Sequence, residues 1–288
     1  MISNAIKALK RKGSKLLTVL PPELAHSLIY FRNHRHWLDW KNTPTYDEKI
    51  HWCLTKKYGS EYGKYADKVM VRKYVEDCNL GHLLIPIYGE YDNADMIDYN
   101  ELPKSFVIKT THGSGPDFYE ICRDQNALDK EMLKKKMLKA LKTDFSVFQC
   151  EYQYSKIHPR IICEKLLIQN DQPELDDYKV ICTNGKPETI LVCTRRNKGL
   201  DYYSLDWKHL DYTKPSCQSG KIIPKPVLLD EMLAAAETLA KPFPLVRIDF
   251  YIVRNRLWFG EITLSPAGGN HTNLTPLGQA ELGCKMIK

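Results

Sequence analysis

A chain of 288 residues, 43% hydrophobic and 27% charged, can bury a large core and has the make-up of an ordinary globular protein. No run approaches the roughly 18 consecutive apolar residues of a membrane span. Lys and Arg interrupt every apolar stretch of the N-terminal MISNAIKALKRKGSKLLTVLPPELAH, so no secretory leader is expected and the protein is expected in the cytoplasm.

The nine cysteines are scattered, odd in number and without a CxxC pair, which disfavours a zinc knuckle or a disulfide framework and predicts reduced thiols. The net charge of +7 leaves an anionic substrate, a membrane face or nucleic acid as partners. No DNA- or RNA-binding motif is present, which puts nucleic acid last.

At the N-terminus Lys7, Lys10, Arg11, Lys12 and Lys15 precede the first acidic residue, Glu23, and alternate with Ile6, Leu9, Leu16 and Leu17. Such a segment reads either as a basic amphipathic helix on an anionic membrane face or as a solvated helix docked by its apolar side. Residues 1–60 read as helical and rich in aromatics, and YADKVMVRKYVEDC at 65–78 has helical apolar spacing. LLIPIYGEYDN predicts a short strand ending in a turn. KSFVIKTTHGSGPDFYEICR at 104–123 predicts a strand, a glycine-bearing loop and a second strand. A Lys-rich helix follows over about 127–142, its lysines solvated.

PRIICEKLLIQ is a buried-strand candidate, and DDYKVICTNGKPETILVCTRR predicts a hairpin turned at Asn184-Gly185. LDEMLAAAETLAKPF predicts a helix stopped at Pro242. LVRIDFYIVRNRLWFGEITLSP predicts two strands joined near Arg254-Asn255-Arg256. No repeat is evident, and helices and strands lack the rhythm of a doubly wound or barrel fold, so the expected class is α+β.

The last two strands carry the strongest chemical signal. Strand alternation puts Arg247, Asp249 and Tyr251 on one face, and Glu261, Thr263 and Ser265 on one face of the next strand. If these strands pair antiparallel, two carboxylates meet with an arginine beside them. Like charges that close invite a divalent cation, and Mg²⁺ takes one or two carboxylates with phosphate and water. A surface ion pair and an exposed strand glutamate are the competing reading. Lys109, at the end of Phe106-Val107-Ile108, precedes His112-Gly113-Ser114-Gly115. A glycine loop beside a lysine suits phosphate, although a plain β-turn explains it as well. Neither GxxxxGK[ST] nor GxGxxG is present. Glu164-Lys165-Leu166-Leu167 follows the strand Arg160–Cys163 and by itself signals only strand and linker.

Taken in this order, the elements resemble the ATP-grasp superfamily. RIDFYIVRNRLWFGEITLSPAGG is similar to the Arg-x-Asp, turn, Glu-x-Asn-x-x-Pro-Gly signature of D-alanine–D-alanine ligase and its relatives. FVIK with its glycine loop resembles the lid strand over the triphosphate, ICEKLL the hinge that holds adenine, and Asp67-Lys68 the earlier lysine that reaches the nucleotide. More narrowly, YDEKIHW, YADKVMVRKYV, ELPKSFVIKTTHGSG, DYKVICTNGKPE and FPLVRIDFY with FGEITLSP resemble a bacterial, teichuronopeptide-biosynthesis (TupA-like) ATP-grasp subgroup. One departure is Thr263, which stands where the superfamily has a metal-ligating Asn and leaves one or two Mg²⁺ sites open.

The resemblance implies an ATP-grasp fold with the nucleotide between two α+β lobes and a helical N-terminal region. The implied divisions are 1–60 for that region, 61–103 for an N-terminal lobe, 104–168 for the lid subdomain and 169–288 for the C-terminal subdomain. It implies ATP and Mg²⁺ as cofactors. Lys68, Lys109, His112, Gly113, Ser114, Gly115 and Lys179 would attend phosphate, and Glu164, Lys165, Leu166 and Leu167 would attend adenine. Asp177, or Asp176 beside it, would attend ribose. Asp249, Glu261 and Thr263 would hold metal, and Arg247, Gly268 and Gly269 would stabilise the reaction's oxyanion. Lys179, Arg195 and Arg196 are further candidates for phosphate or an anionic substrate, with plain strand-surface cations as the alternative. The implied activity is a ligase joining a sugar-acid carboxyl to an amine in capsule or cell-surface polysaccharide biosynthesis. Its partner is a small, lipid-linked or polymeric saccharide, and its place is the cytoplasm, with the basic N-terminus able to touch the inner membrane face. A glycosyltransferase and a non-catalytic ATP-grasp-like binding module are the rival readings. The first lacks a DxD-type motif, and the second must explain why Lys109, Asp249 and Glu261 are retained.

Overall fold

The computed structural model describes residues 15–169, 175–195 and 198–286. The basic segment around Lys7–Lys12 and the candidate Arg196 lie outside these residues.

The first helices are α1 (Pro22–His34) and α2 (Tyr46–Lys56). A reciprocal capping box starts α2: Thr45 Oγ1 accepts from the Glu48 amide, and the Glu48 carboxylate accepts from the Thr45 amide. The helical period over 65–78 is realised as two pieces, α3 (Gly63–Ala66) and α4 (Met70–Asp77). The break has a local cause. The Asp67 carboxylate accepts from the amides of Val69 and Met70 at 2.7 and 2.9 Å and so restarts the helix after itself.

Strands β1 (Ile87–Tyr91), β2 (Phe106–Thr110), β3 (Tyr119–Cys122) and β4 (Ile161–Lys165) form an antiparallel sheet of order β1-β4-β2-β3. Helix α5 (Lys130–Leu141) covers one face with Leu133 and Met137, against Phe106, Ile108, Ile161 and Cys163. Alternation along β2 sends Phe106 and Ile108 into this core and turns Val107 and Lys109 the other way.

The larger sheet has β5 (Asp177–Thr183), β6 (Lys186–Thr194), β7 (Gly199–Tyr203), β8 (His209–Leu210), β9 (Leu245–Val253) and β10 (Arg256–Thr263), in the order β10-β9-β5-β6-β7-β8. Both expected hairpins are present. Asn184-Gly185 and Arg254-Asn255 have positive φ at both turn positions, the twist that a two-residue hairpin loop needs. Helix α6 (Leu229–Ala240) buries Leu229, Met232, Ala236 and Leu239 at helical spacing on this sheet. The same core takes in Tyr46, Ile50 and Leu54 of α2, Val71 and Val75 of α4, and Leu282 of the last helix, α7 (Pro276–Cys284). The two sheets thus face each other across a cleft, each backed by its own helices.

Candidate active site

The cleft has a volume of about 490 Å³. Its walls are the outward residues of β2 to β4 on one side, and Asp177, Lys179, Asp249, Tyr251, Gly260 and Glu261 of β5, β9 and β10 on the other. Ile85, Val107, Leu166, Leu167, Leu175 and Tyr251 give the cleft an apolar slot, with Ile85, Leu167, Leu175 and Tyr251 packed in one cluster. Lys68, Lys109 and Lys179 line the same cleft. A ligand with a flat apolar part and a polyanionic part needs both kinds of surface.

The carboxylates stand where strand pairing puts them. Lys179 on β5, Asp249 on β9 and Glu261 on β10 form one rung across three strands, with Arg247 opposite Thr263 on the neighbouring rung. This rung depends on a bulge. Phe259 pairs with Phe250 on the core face, but the register shifts at Gly260, so Glu261 meets Asp249 rather than Ile248. Were Gly260 to pair with Asp249 in regular alternation, Glu261 would fall opposite Ile248 and turn into the core. Gly260 suits the crowding, since a Cβ there would lie 3.0 Å from the Asp249 carbonyl oxygen.

Asp249 is buried and grasped by cations. Arg247 donates Nε to one oxygen at 2.7 Å and Nη2 to the other at 2.8 Å, and the Lys179 ammonium donates to the second as well. Burial pushes the Asp249 carboxyl up, but Arg247 and Lys179 outweigh it and hold it below the usual carboxylate range. Burial alone would lower the Lys179 ammonium, yet Asp249 raises it above its ordinary value. Glu261 uses Oε1 toward Arg247 at 3.4 Å and accepts there from the Thr263 hydroxyl at 3.1 Å. Asp249 and Glu261 both line the cleft. Two neighbouring carboxylates, completed by phosphate and water, fit one Mg²⁺. Thr263 spends its proton on Glu261.

Lys68 and Lys109 reach the cleft from different elements. The Lys68 ammonium donates to the Gly113 carbonyl at 2.6 Å, and Lys109 pairs with Glu164 at 2.5 Å. Burial pulls Lys68 down to about 8. Gly113, Ser114 and Gly115 line the cleft, and Gly115 has φ +87°, a backbone that favours glycine. His112 differs from the expectation. It is buried, its Nε2 lies 3.1 Å from the Thr143 carbonyl, and it does not line the cleft. Glu164, Lys165, Leu166 and Leu167 all line the slot. Of the two candidate aspartates, Asp177 lines the cleft, whereas Asp176 accepts from the Arg195 amide at 3.2 Å. The Arg195 guanidinium donates to Asp177, leaving Asp177 Oδ1 buried without a protein partner.

Arg247, Gly268 and Gly269 do not line the cleft: Arg247 braces Asp249 from behind, and the two glycines lie in the turn after β10. In the turn Pro266–Gly269, Ala267, Gly268 and Gly269 have φ of 49°, 59° and 70°. That backbone is costly for Ala267, while Gly268 and Gly269 take it readily but are equally free to leave it, so the surroundings must hold the turn. Helix α2 does so. The His51 Nε2 lies 3.1 Å from the Gly269 carbonyl, and a Cβ on Gly269 would meet the His51 ring at 2.9 Å. Asp47, fully buried, accepts from the His271 amide at 2.9 Å and from Gln279 Nε2 at 2.6 Å, and faces His271 Nδ1 at 2.6 Å. Burial opposes its charge, but these donors keep the Asp47 carboxyl below its ordinary value.

Sequence reasoning passed over Asp47, and it passed over Glu151. The Glu151 side chain is buried behind the end of β10, accepting from the Ser265 hydroxyl, which in turn accepts from Gln153 Nε2 at 3.0 Å. Burial pushes Glu151 up to about 7, and the Ser265 bond offsets only part of that. No motif announces either residue, because their partners lie far along the chain.

A model of the family described as TupA-like ATP-grasp matches residues 48–286. There is no match among curated proteins. Among solved structures, the chain is similar to D-alanine–D-alanine ligase from Bacillus anthracis, at 16% identity and a TM-score of 0.46, covering 78% of this chain and 66% of that one. It is also similar to an L-amino acid ligase from Bacillus licheniformis, at 10% identity and a TM-score of 0.48, covering 84% and 54%. The chain therefore spans only part of the length of these structures, from 54% to 66% in the two cases.

Proposed function

The chain belongs to the TupA-like ATP-grasp family, and on that footing we propose that it is an ATP-dependent carboxylate–amine ligase that activates its carboxylate as an acyl phosphate. The observation that carries this reading is the rung Lys179–Asp249–Glu261, braced by Arg247, in one cleft with Lys68 and Lys109.

In this mechanism the apolar slot holds the base and Asp177 Oδ1 accepts from a ribose hydroxyl. Lys68, Lys109 and Lys179 take the phosphate oxygens, and Lys68 exchanges the Gly113 carbonyl for them. Mg²⁺, when bound by Asp249 and Glu261, supplies charge neutralisation on those oxygens. Phosphoryl transfer to a carboxylate then rests on positioning and on charge the site already holds. The amine attacks the acyl phosphate, the C–N bond forms and inorganic phosphate leaves. Arg247 and the amides of the Pro266–Gly269 turn stabilise the oxyanion, the largest usual contribution in acyl transfer. For substrates we infer a sugar-acid carboxyl and an amino compound, in bacterial capsule or cell-surface polysaccharide biosynthesis. Support comes from the narrower family resemblance and from the excess of cations over carboxylates along the cleft.

The test is ADP and phosphate release from Mg²⁺-ATP with a panel of uronic acids, their nucleotide-linked forms and amino acids. Carboxylate- and amine-dependent ADP formation is expected, with Glu261→Ala slower by at least about a hundredfold. Release of UDP from a nucleotide sugar without ATP consumption would replace the ligase with a glycosyltransferase. Absence of ATP binding by calorimetry would overturn the nucleotide site itself.

A further inference from the structure

Helix α1 has two apolar sides. Ala25 and Ile29 turn inward with Leu17, Leu20 and Cys150, and His26 and Tyr30 are buried beside them. Leu24, Leu28 and Phe31 follow at spacings of four and three on the opposite side, which a helix brings into one stripe. Trp37 extends that stripe by stacking on Phe31, ring centroids 4.6 Å apart. Leu24, Phe31 and Trp37 keep 46%, 36% and 58% of their surface exposed. A soluble surface tolerates scattered apolar residues, but an aromatic pair on an aliphatic helix stripe marks an interaction site.

Charge says what covers it. Residues 1–41 contain eight Lys and Arg and two acidic residues, so this first seventh of the chain carries six of its seven net positive charges. Arg32 and Arg35 are exposed on α1 beside the stripe, and its single carboxylate, Glu23, is paired with Lys56. The rest of the chain is close to neutral. We propose that the Leu24–Leu28–Phe31–Trp37 stripe docks this protein on an anionic lipid bilayer, the rings and leucines entering the interface and the surrounding cations meeting the headgroups. A polyanion such as RNA would use the cations but leave the aliphatic stripe in water, which is why the bilayer is favoured.

The docking has a consequence for the proposed reaction, and this consequence rests on that reading. Asn33, at the end of α1, donates to Asn270 at 2.7 Å, directly after the Pro266–Gly269 turn. A docked α1 therefore brings the segment after that turn to within one helix diameter, roughly 10 Å, of the membrane surface, where a lipid-borne substrate would be presented.

Full-length protein would be sedimented with vesicles of phosphatidylcholine alone and with vesicles containing about 30% phosphatidylglycerol. Binding is expected to the anionic vesicles, weakened by salt, with a partition coefficient at least about tenfold lower for the Phe31→Ser/Trp37→Ser double variant. Both changes are on exposed rings, and unaltered ATP binding by the variant would show that its fold and nucleotide site are intact. Equal binding to both vesicle types, or equal binding by wild type and variant, would overturn the proposal. So would a wild-type dimer that the variant dissociates, since a second copy would then own the stripe. Binding to RNA in place of vesicles would overturn it equally.

Discussion

Replacing Glu151 by glutamine should make the protein more stable at neutral and alkaline pH, and less so as pH falls. The amide keeps an oxygen to accept from the Ser265 hydroxyl but has no charge to bury. Glu151 is pushed from its usual 4.5 to about 7 by burial. The folded state therefore holds a proton that the unfolded chain has released, and the associated stability is complete below about pH 4.5 and lost as pH rises through about 7. The span of the shift corresponds to a loss on the order of 3 kcal/mol. Other groups, such as Asp249 and Asp47, titrate in the opposite sense, so the wild-type profile alone would hide the effect. The difference between variant and wild type isolates it. Urea unfolding at steps between about pH 5 and pH 8.5 should show that difference growing with pH and levelling off above about 7. A difference that stays constant across this range would refute the raised carboxyl and the burial argument behind it.

Gly260→Val sets a branched side chain against the Asp249 carbonyl, which a Cβ at 260 approaches to 3.0 Å. The fold should weaken by about 1–3 kcal/mol with a loss of turnover, and a variant with wild-type stability and ADP release would contradict the reading that the bulge requires glycine. Lys68→Met should weaken ATP binding by about 1.5–3 kcal/mol, roughly ten- to a hundredfold by calorimetry. Wild-type affinity should itself fall as pH rises through about 8, where Lys68 loses its proton, and the variant should lack that fall. Asp47→Asn sets an amide N–H against the donors of His271 and Gln279. A cost of about 1–3 kcal/mol in chemical denaturation should come with a lower kcat, and an unchanged kcat would detach α2 from the turn's function.

The pairing of Asp249 with Glu261 was legible because its members are local. Asp249 and Glu261 lie on adjoining strands joined by a two-residue turn, and alternation with antiparallel pairing nearly suffices to bring them together. The pattern still omitted the step that makes it work. Strict period-two counting does not register the extra residue at Gly260, and only the crowding at the Asp249 carbonyl explains why glycine stands there. Similarly, apolar spacing over 65–78 cannot reveal that Asp67 would interrupt the helix. Its carboxylate competes for amides that the period assigns to the helix itself. His112, open in the sequence between a phosphate contact and a structural loop histidine, is the converse case. Its neighbours in sequence suit phosphate, but the Thr143 carbonyl, 31 residues away, claims its ring.

Asp47 and Glu151 show where local reading ends. Asp47 meets His271 across 224 positions and Glu151 meets Ser265 across 114. Each is a carboxylate buried on an element that looks merely structural, and each is tied to the segment just after the metal-bearing strand. The contacts tie down both ends of Ser265–His271, α2 through Asp47 and His51, and the segment before β4 through Glu151. Inside that segment Ala267 is left-handed against its preference and two glycines are free to leave that region, so its geometry would not hold alone. An oxyanion site needs donors fixed before charge develops, because reorganising them during the reaction forfeits the gain. The N-terminal helices therefore do more than cover a sheet: they supply the rigid backing that lets a pliant glycine turn keep its amides in place.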